Sequence, residues 1–197
     1  MKYDLGKKPT KGAQRTLNAF SETMLKLISQ KRLEDISVSE ICEVSTFPRA
    51  TFYNYFDDKY DLLNYCWHII AEEIQINEET KITSHGILKV YFDRIYDIFM
   101  ENKSLLDKVL VNNNSSSAMI NSFINYFKEI IHHVLYNSMD QFETTLPLEL
   151  LADHIVATLL LILEWIFLEQ HDTTKQQAHQ YIDVLLGSDL PKFKARS

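Results

Sequence analysis

The stretch from Ser37 to Lys59 constrains the fold more than any other part of the chain, because it encodes two very short helices around a tight turn. Its first four residues, Ser-Val-Ser-Glu, have the pattern of a capping box, in which each end residue satisfies the free backbone amide of the other. A helix is predicted from there through Val44, with Val38, Ile41 and Val44 on one face.

The second short helix is predicted to begin after Pro48, which loses nothing at a helix start by lacking an N–H. It runs from Arg49 to Phe56 and is ended by the acidic pair that follows. Two short helices joined by a three-residue turn, here Ser-Thr-Phe, form a helix-turn-helix. The exposed positions of the second helix hold side chains that can hydrogen-bond base edges and phosphates: Arg49, Thr51, Tyr53 and Asn54. We therefore predict that this helix enters a groove of double-stranded DNA.

The run R-A-T-F-Y-N-Y-F-D-D-K-Y-D-L-L, which begins at Arg49, resembles the DNA-binding signature of the TetR/AcrR family of bacterial transcriptional regulators. The likeness covers the chain from about Lys11 to Leu63. Three positions depart from the family's pattern, since Thr46 replaces the turn glycine, Pro48 the usual serine and Ala50 a common glycine. The resemblance implies a DNA-facing set that matches Arg49, Ala50, Thr51, Tyr53, Tyr55 and Lys59.

The predicted contacts follow from the chemistry of each side chain. Arg49 can donate two hydrogen bonds to guanine and Asn54 can pair with adenine, while the Thr51 methyl suits thymine. The hydroxyls of Tyr53 and Tyr55 can reach phosphates. A lysine at a helix start opposes the helix dipole, which favours a phosphate-binding role for Lys59. With the capping residue of the first short helix, the full predicted DNA-binding set is Ser37, Pro48, Arg49, Ala50, Thr51, Tyr53, Asn54, Tyr55 and Lys59.

The net charge of −7 argues against nucleic acid only until its distribution is considered. Residues 1–56 hold nine Lys or Arg and six Asp or Glu, a net +3, whereas residues 57–197 hold eleven and 21, a net −10. We call residues 1–56 the reader and residues 57–197 the body. A basic reader on an acidic body suits an N-terminal DNA-binding region, because the electrostatic field near the DNA-binding surface matters more for its approach to DNA than the total charge does. The basic arm Met1–Gly12 either lies along the DNA backbone or is a solvated tail.

Helical spacing of apolar residues and only four glycines and four prolines in 197 residues predict an all-α fold. We expect an N-terminal three-helix head with the helix-turn-helix (residues 1–56) and a C-terminal helical bundle for regulation and dimerisation (residues 57–197). The predicted helices outside the reader span about residues 10–30, 58–75, 85–101, 104–111, 116–136, 147–171 and 174–186. The last two carry more apolar surface than one chain can bury, which predicts a homodimer through a four-helix interface, as the resemblance also implies.

A small, largely apolar effector is the expected partner of the body, and the resemblance implies that some cavity exists there. The predicted lining combines aromatic bodies with a few polar tips: Tyr91, Ile95, Phe99, Phe123, Tyr126, Phe127, His133, Trp165 and Phe167. Aromatic residues at this spacing are also typical of plain core. The alternative to a ligand-responsive repressor with a palindromic operator is therefore a DNA-binding scaffold whose body docks a protein.

The sequence favours neither catalysis nor metal binding. It contains no Gly-rich phosphate loop and no nucleophile motif, so we predict no catalytic residue and no cofactor. His132 and His133 are neighbours on a helix and diverge by about 100°, which disfavours a shared metal ion. Cys42 and Cys66 are expected to be small buried thiols of a reducing cytosol. The longest apolar run, Ile155 to Leu163, is too short to span a bilayer, so a cytoplasmic protein without a membrane partner is predicted.

Overall fold

A computed structural model describes residues 9–74, 88–136 and 145–187, and for residues 86, 87 and 137 it describes the backbone but not the side chains. Those ranges contain helices and no strand, which confirms the predicted all-α fold class. The α-helices are α1 Lys11–Ile28, α2 Val38–Ser45, α3 Arg49–Tyr55, α4 Lys59–Ile74, α5 Gly86–Glu101, α6 Lys103–Asn112, α7 Ala118–Asn137, α8 Leu148–Leu163 and α9 Lys175–Leu186. A 3-10 turn, Leu33–Asp35, connects α1 to α2.

The predicted helices match these elements to within a few residues, with one larger difference. The helix expected over residues 147–171 is α-helical only to Leu163 and continues as a single π-helical turn, Glu164–Leu168. There the Glu169 N–H donates to the Glu164 carbonyl at 2.9 Å, and Gln170 takes a left-handed conformation with φ 59°. The wider turn and the left-handed residue end the helix before α9 begins. Four predicted stretches lie wholly or partly outside the described residues: the arm before residue 9, the loop at 77–85, residues 140–144 of the loop predicted over 140–147, and the tail after residue 187.

The chain divides into two compact units that do not follow one cut along the sequence. One comprises Met1–Ile70 with Ser104–Phe123, and the other comprises Ala71–Lys103 with Ile124–Ser197. The first unit thus includes α6 and the start of α7 as well as the helix-turn-helix. The predicted boundary between residues 56 and 57 separates reader from body by function, and it stays a prediction.

The core of the first unit forms around α1, whose predicted inward stripe is confirmed as buried: Leu17, Phe20, Met24, Leu27 and Ile28. The ring of Phe20 lies 5.4 Å from Phe47, 5.3 Å from Phe52 and 6.2 Å from Phe56, measured between centroids. The pairs with Phe52 and Phe56 are edge-to-face, and such aromatic pairs add about 0.5–1.5 kcal/mol beyond their area burial. Cys42 and Cys66 are both buried free thiols, as predicted.

The face predicted for α2 is wrong at one position. Val44 is 42% exposed, and the residues that α2 buries are Ile41, Cys42 and Ser45. A helix of eight residues has too few apolar positions for its own pattern to set its rotation. Its docking in the first unit therefore decides which side faces inward.

In the second unit, α5 and α9 are joined along their length by three polar side-chain pairs, two of which are Lys–Asp ion pairs. Lys89 contacts Asp183, Asp93 contacts His179 and Asp97 contacts Lys175, each with an N–O distance of 2.6 Å. We call these three pairs the α5–α9 ladder. The Tyr96 hydroxyl adds a hydrogen bond of 2.9 Å to the Thr173 carbonyl, just before α9.

The segment Leu148–Leu168 is the most apolar helical stretch of the described residues. By length and composition it could cross a membrane, with a mean hydropathy of 2.0, but 61% of it is buried within the protein. The core helix of a globular protein meets the same criteria, so this segment is weak support for a membrane span. Its predicted burial is confirmed at Ile155, Val156, Leu159, Leu160, Ile162 and Leu163.

Candidate nucleic-acid interface

The first short helix begins as its sequence predicts, although only half of the capping box forms. The Glu40 N–H donates to the Ser37 hydroxyl at 3.2 Å. The Glu40 carboxylate instead accepts two hydrogen bonds, of 2.6 and 2.7 Å, from the Lys31 ammonium. Ser37 is exposed, and its hydroxyl serves as the N-cap of α2. The start of α2 is therefore tied to the segment that precedes it.

Thr46 makes the turn between the two short helices in an unusual conformation. Its φ of 61° and ψ of 27° place it in the left-handed region, which a β-branched residue rarely adopts. The Thr46 N–H donates to Glu43 and the Phe47 N–H to Cys42, so two carbonyls at the end of α2 are satisfied. A glycine would adopt this conformation without steric cost. Thr46 therefore keeps a turn geometry that glycine would adopt freely, at the expense of local strain.

The two faces of α3 differ in the way that a DNA-reading helix requires. Phe52 and the following Phe56 are fully buried, and they anchor the helix against the core of the first unit. The opposite side is available to solvent, with Arg49, Ala50, Tyr53 and Asn54 exposed and Thr51 and Tyr55 half-buried. Pro48 is exposed just before the helix and acts as its N-cap residue. The predicted base-reading residues therefore share one accessible surface.

Arg49 and Tyr53 contact each other on that surface. The Arg49 guanidinium lies 5.9 Å from the centre of the Tyr53 ring, and its Nη2 is 3.4 Å from the Tyr53 hydroxyl. The hydrogen bond to Tyr53 raises the pKa of Arg49, so the guanidinium carries its charge at any physiological pH. Because the two side chains are four residues apart, one helical turn brings them together. The pair presents a planar donor beside an aromatic hydroxyl.

Lys59 lies in a different setting from the one that a phosphate contact would need. Its ammonium donates to the carbonyls of Leu33, Glu34 and Ile36 at 2.8, 3.0 and 2.9 Å. An ammonium has three hydrogens, and these three acceptors match them. Lys59 therefore braces the 3-10 turn, and a phosphate contact would require it to give up part of this arrangement. Its predicted DNA contact stays a prediction.

Two polar residues near the reader were missed by the sequence reasoning. The segment from Asn112 to Ser117 reads as a turn-rich linker, yet Asn113 is only 2% exposed and bonds to the end of α1. Lys31 was not singled out, although it holds the start of α2 through Glu40. No short-range pattern identifies either contact, since Asn113 and Leu33 are 80 positions apart and Lys31 and Glu40, nine positions apart, do not lie on one helix.

The residues predicted to line an effector pocket differ in burial, and some of them are exposed on the surface. Phe167 packs edge-on against Phe99, at 5.0 Å, and against Tyr96, at 5.3 Å. His133 is exposed, and Trp165 is 44% exposed with its ring stacked on His171. Tyr91, Ile95 and Phe127 are buried in the second unit, Tyr126 is half-buried there, and Phe123 packs on Trp67 in the first unit. The predicted pocket stays a prediction.

Tyr126 is half-buried in the second unit, and its surroundings shift the pKa of its hydroxyl. Burial is the main cause that raises this pKa, and the negative charge of Glu72 raises it further. Tyr126 is therefore neutral and can donate a hydrogen bond.

A surface depression in the second unit is lined by the polar residues Asn125, Lys128, Glu129, His132, Glu149 and Asp153, none of which belongs to the predicted lining of the effector pocket. Within the described ranges, no group of three His, Cys, Asp or Glu side chains is arranged to hold a metal ion.

Comparison with known proteins places this architecture among transcriptional regulators. No protein-family model matches the chain. An HTH-type transcriptional regulator of Staphylococcus aureus is 22% identical over 157 residues, which cover 75% of this chain and 83% of the relative. A TetR-family transcriptional regulator of Syntrophomonas wolfei superposes with a TM-score of 0.68 at 18% identity, over 90% of this chain and 98% of the other. For a TetR transcriptional regulator of Streptococcus agalactiae the TM-score is 0.63 at 16% identity, over 87% and 94%.

These likenesses confirm the resemblance seen in the sequence at the level of the fold. The chain has the all-helical fold of TetR-family transcriptional regulators.

Proposed function

We propose that the protein is a DNA-binding transcriptional regulator that binds a palindromic operator as a homodimer and represses transcription. The observation that carries this proposal is that α3 has one buried face and one exposed face. Phe52 and Phe56 fix the helix from one side, while Arg49, Tyr53 and Asn54 are exposed on the other. Side chains of these types read base edges and phosphates when a short helix lies in the major groove. The resulting operator complex is cytoplasmic and needs no cofactor, and we propose no catalytic role.

The homodimer is supported by apolar side chains that one chain leaves uncovered. On α8 and the turn that follows it, Leu150, Leu161 and Trp165 are 56%, 58% and 44% exposed and share one helical face. On α9, Val184 is 78% exposed, beside the exposed Leu185. Exposed apolar groups at regular spacing mark an interaction surface, and a second copy of the chain would cover both. A twofold pair of readers then matches two half-sites about one DNA turn apart, which is a palindrome.

A small, largely apolar effector is proposed as the signal that relieves repression. The support is the aromatic interior of the second unit, in which half-buried Tyr126 offers a neutral hydroxyl. By this hypothesis, effector capture shifts α4, whose first residue Lys59 braces the reader, and so changes the spacing of the two readers. A difference in affinity between the two states of about 1–3 kcal/mol is enough for useful coupling.

A protein-docking scaffold is the second candidate, favoured by a specific observation. Phe99 and Phe167 are in direct ring contact, whereas His133 and Trp165 are exposed, so the predicted lining residues are not all gathered around one interior space. Native mass spectrometry of the gently purified protein separates the two candidates. A co-purifying small molecule that is released on denaturation supports the effector, and a protein subunit in its place supports the scaffold.

Substitution of Arg49 tests the proposed DNA-reading face. Arg49→Ala should weaken binding to a duplex selected by the wild-type protein by about 1–3 kcal/mol, because one bidentate base contact is lost. Binding to a scrambled duplex of equal length should change much less. Fluorescence anisotropy with both duplexes makes the measurement, and Arg94→Ala, in α5, is the matched control.

The same titrations at several salt concentrations test the DNA assignment as a whole. Since binding to DNA releases counterions, the affinity should fall steeply as salt rises. Equal losses on both duplexes would make Arg49 a phosphate contact alone. A flat salt response, or no binding to any duplex in a random library, would refute the proposed function.

A further inference from the structure

A buried asparagine outside the helix-turn-helix holds the backbone beside it. Asn113 follows α6, and its side chain makes contacts on all sides of its amide group. The Oδ1 atom accepts from the Leu33 N–H at 3.0 Å, while Nδ2 lies 2.9 Å from the Ile28 carbonyl and 3.3 Å from those of Lys31 and Val109. An amide at 2% exposure is costly to bury unless its groups are paired, and here they are.

The same backbone segment is held from its other side by Lys59. Leu33 is the shared point, because its N–H donates to Asn113 while its carbonyl accepts from the Lys59 ammonium at 2.8 Å. Lys59 is the first residue of α4 and stands three positions after Phe56, which is buried against Phe20 in the core of the reader. A short chain of contacts therefore leads from Asn113 through Leu33 and Lys59 to the end of the reading helix.

A second asparagine strengthens the attachment. Asn112, the last residue of α6, donates from Nδ2 to the Ser29 carbonyl at 3.1 Å. Carbonyls at the end of a helix lack partners within it, and Ile28 and Ser29 belong to that end of α1. The two asparagines thus supply donors that the end of α1 lacks. A buried, fully paired amide also fixes one geometry, because a shift of the segment would break several hydrogen bonds together.

We infer that Asn113 is a positioning residue for DNA reading, which sets the position of α3 through the Leu33 peptide and Lys59. This inference rests on the proposed function. It adds that specific recognition depends on the corner between α6 and α7, about 60 residues along the chain from the reading helix. Asn113 touches no DNA in this account. Its effect on recognition passes through the backbone that it holds.

The test compares Asn113→Asp with Asn114→Asp, an identical change at the exposed neighbouring position. Asn113→Asp keeps the acceptor for the Leu33 N–H but removes the donors to three carbonyls and places a negative charge beside those carbonyls. At a temperature where both variants are folded by circular dichroism, Asn113→Asp should bind the selected duplex about tenfold more weakly, and a scrambled duplex less than about twofold more weakly. Asn114→Asp should match the wild-type protein on both.

A second measurement needs no variant and covers the case in which Asn113→Asp does not fold. Coupling between two sites is reciprocal, so if Asn113 affects DNA binding, then binding of the selected duplex should stabilise the hydrogen bond from the Leu33 N–H to Asn113. In the wild-type protein, amide hydrogen exchange in the segment Ile28–Ile36 should slow by about fivefold or more with the selected duplex, and less with the scrambled one.

The outcomes separate this inference from the function on which it rests. Specific binding by the wild type, with an unchanged ratio of affinities in folded Asn113→Asp, overturns the positioning role and leaves the regulator intact. Equal exchange protection by the two duplexes does the same. Failure of the wild-type protein to select any duplex removes the proposed function, and the positioning role with it.

Discussion

In the unit that contains the helix-turn-helix, the side chains of Asn113 and Lys59 hold a turn of the backbone by hydrogen bonds to its peptide groups, whereas in the second unit α5 and α9 are joined by two half-exposed ion pairs and a His–Asp contact. Asn113 and Lys59 both hydrogen-bond the backbone of Leu33. The rings of Phe20, Phe47, Phe52 and Phe56 pack together on the buried side of α3. The α5–α9 ladder has side chains that retain about a third or more of their exposure.

The difference matters because solvent weakens the two kinds of contact unequally. Pairs of exposed charges are screened by salt and stabilise a fold by only about 0–1 kcal/mol. Buried hydrogen bonds are not screened, and loss of one partner leaves a polar group without water, at a cost of about 1–3 kcal/mol. The hydrogen bonds of buried Asn113 should therefore depend little on ionic conditions, whereas the ladder, like the half-exposed Lys31–Glu40 pair at the start of α2, should weaken as salt rises.

The largest expected effect tests whether the aromatic core of the reader dominates the stability of the first unit. Phe52→Ala should lower the free energy of unfolding by about 3–5 kcal/mol, because it opens a cavity beside Phe20 and Phe56. The adjacent exposed Tyr53→Ala should cost less than about 1 kcal/mol. Urea denaturation followed by circular dichroism measures both. Similar losses for the two variants would mean that burial does not distinguish the two faces of α3.

The next effect separates bracing from phosphate binding at Lys59. Lys59→Met keeps most of the stem but removes three charge-assisted hydrogen bonds to carbonyls, so the free energy of unfolding should fall by about 1.5–3 kcal/mol. Lys108→Met, at an exposed site on α6, is the control and should be nearly neutral. Unchanged stability with a salt slope of DNA binding reduced by about one would instead identify Lys59 as a phosphate contact.

A smaller effect of opposite sign tests the strain at the turn. Thr46→Gly should raise the free energy of unfolding by about 1 kcal/mol, because glycine adopts a φ of 61° without the clash of a Cβ atom. Ser39→Gly, at an exposed site inside α2, should lower it by about 0.5–1 kcal/mol. Thermal unfolding compares the pair. A loss of stability in Thr46→Gly would show that the Thr46 side chain, whose hydroxyl bonds the Ser45 carbonyl, outweighs the strain.

The smallest effect concerns the ladder. Lys175→Met should cost less than about 1 kcal/mol at low salt and nothing measurable at about 1 M salt. The hydrogen bond to Asp97 raises the pKa of Lys175, so its contribution is complete below the ordinary pKa of lysine and is lost as pH rises through the raised value. Urea denaturation at neutral and alkaline pH measures this, with Gln176→Met as control. A salt-independent cost would contradict the contrast between the two units.

Much of the reader could be predicted from the sequence because its signals are local. The Ser37 cap, the proline before α3 and the four-residue spacing of Phe52 and Phe56 each act within one or two helical turns. The rotation of α2 was predicted wrongly at Val44, since a helix of eight residues is turned by its neighbours. The π-helical turn at Glu164–Leu168 was missed because its residues are as apolar as those of the helix before it.

The sequence by itself determined the all-α class, most helix boundaries apart from the end of α8, and which side of α3 faces outward, since helix spacing, caps and breakers act between residues close in the chain. Only the tertiary structure decided that Lys59 braces a turn and that Asn113 holds the end of α1. Both residues reach backbone groups far away in the sequence. Any residue can offer its backbone carbonyls and amides, so no side-chain pattern marks them in advance.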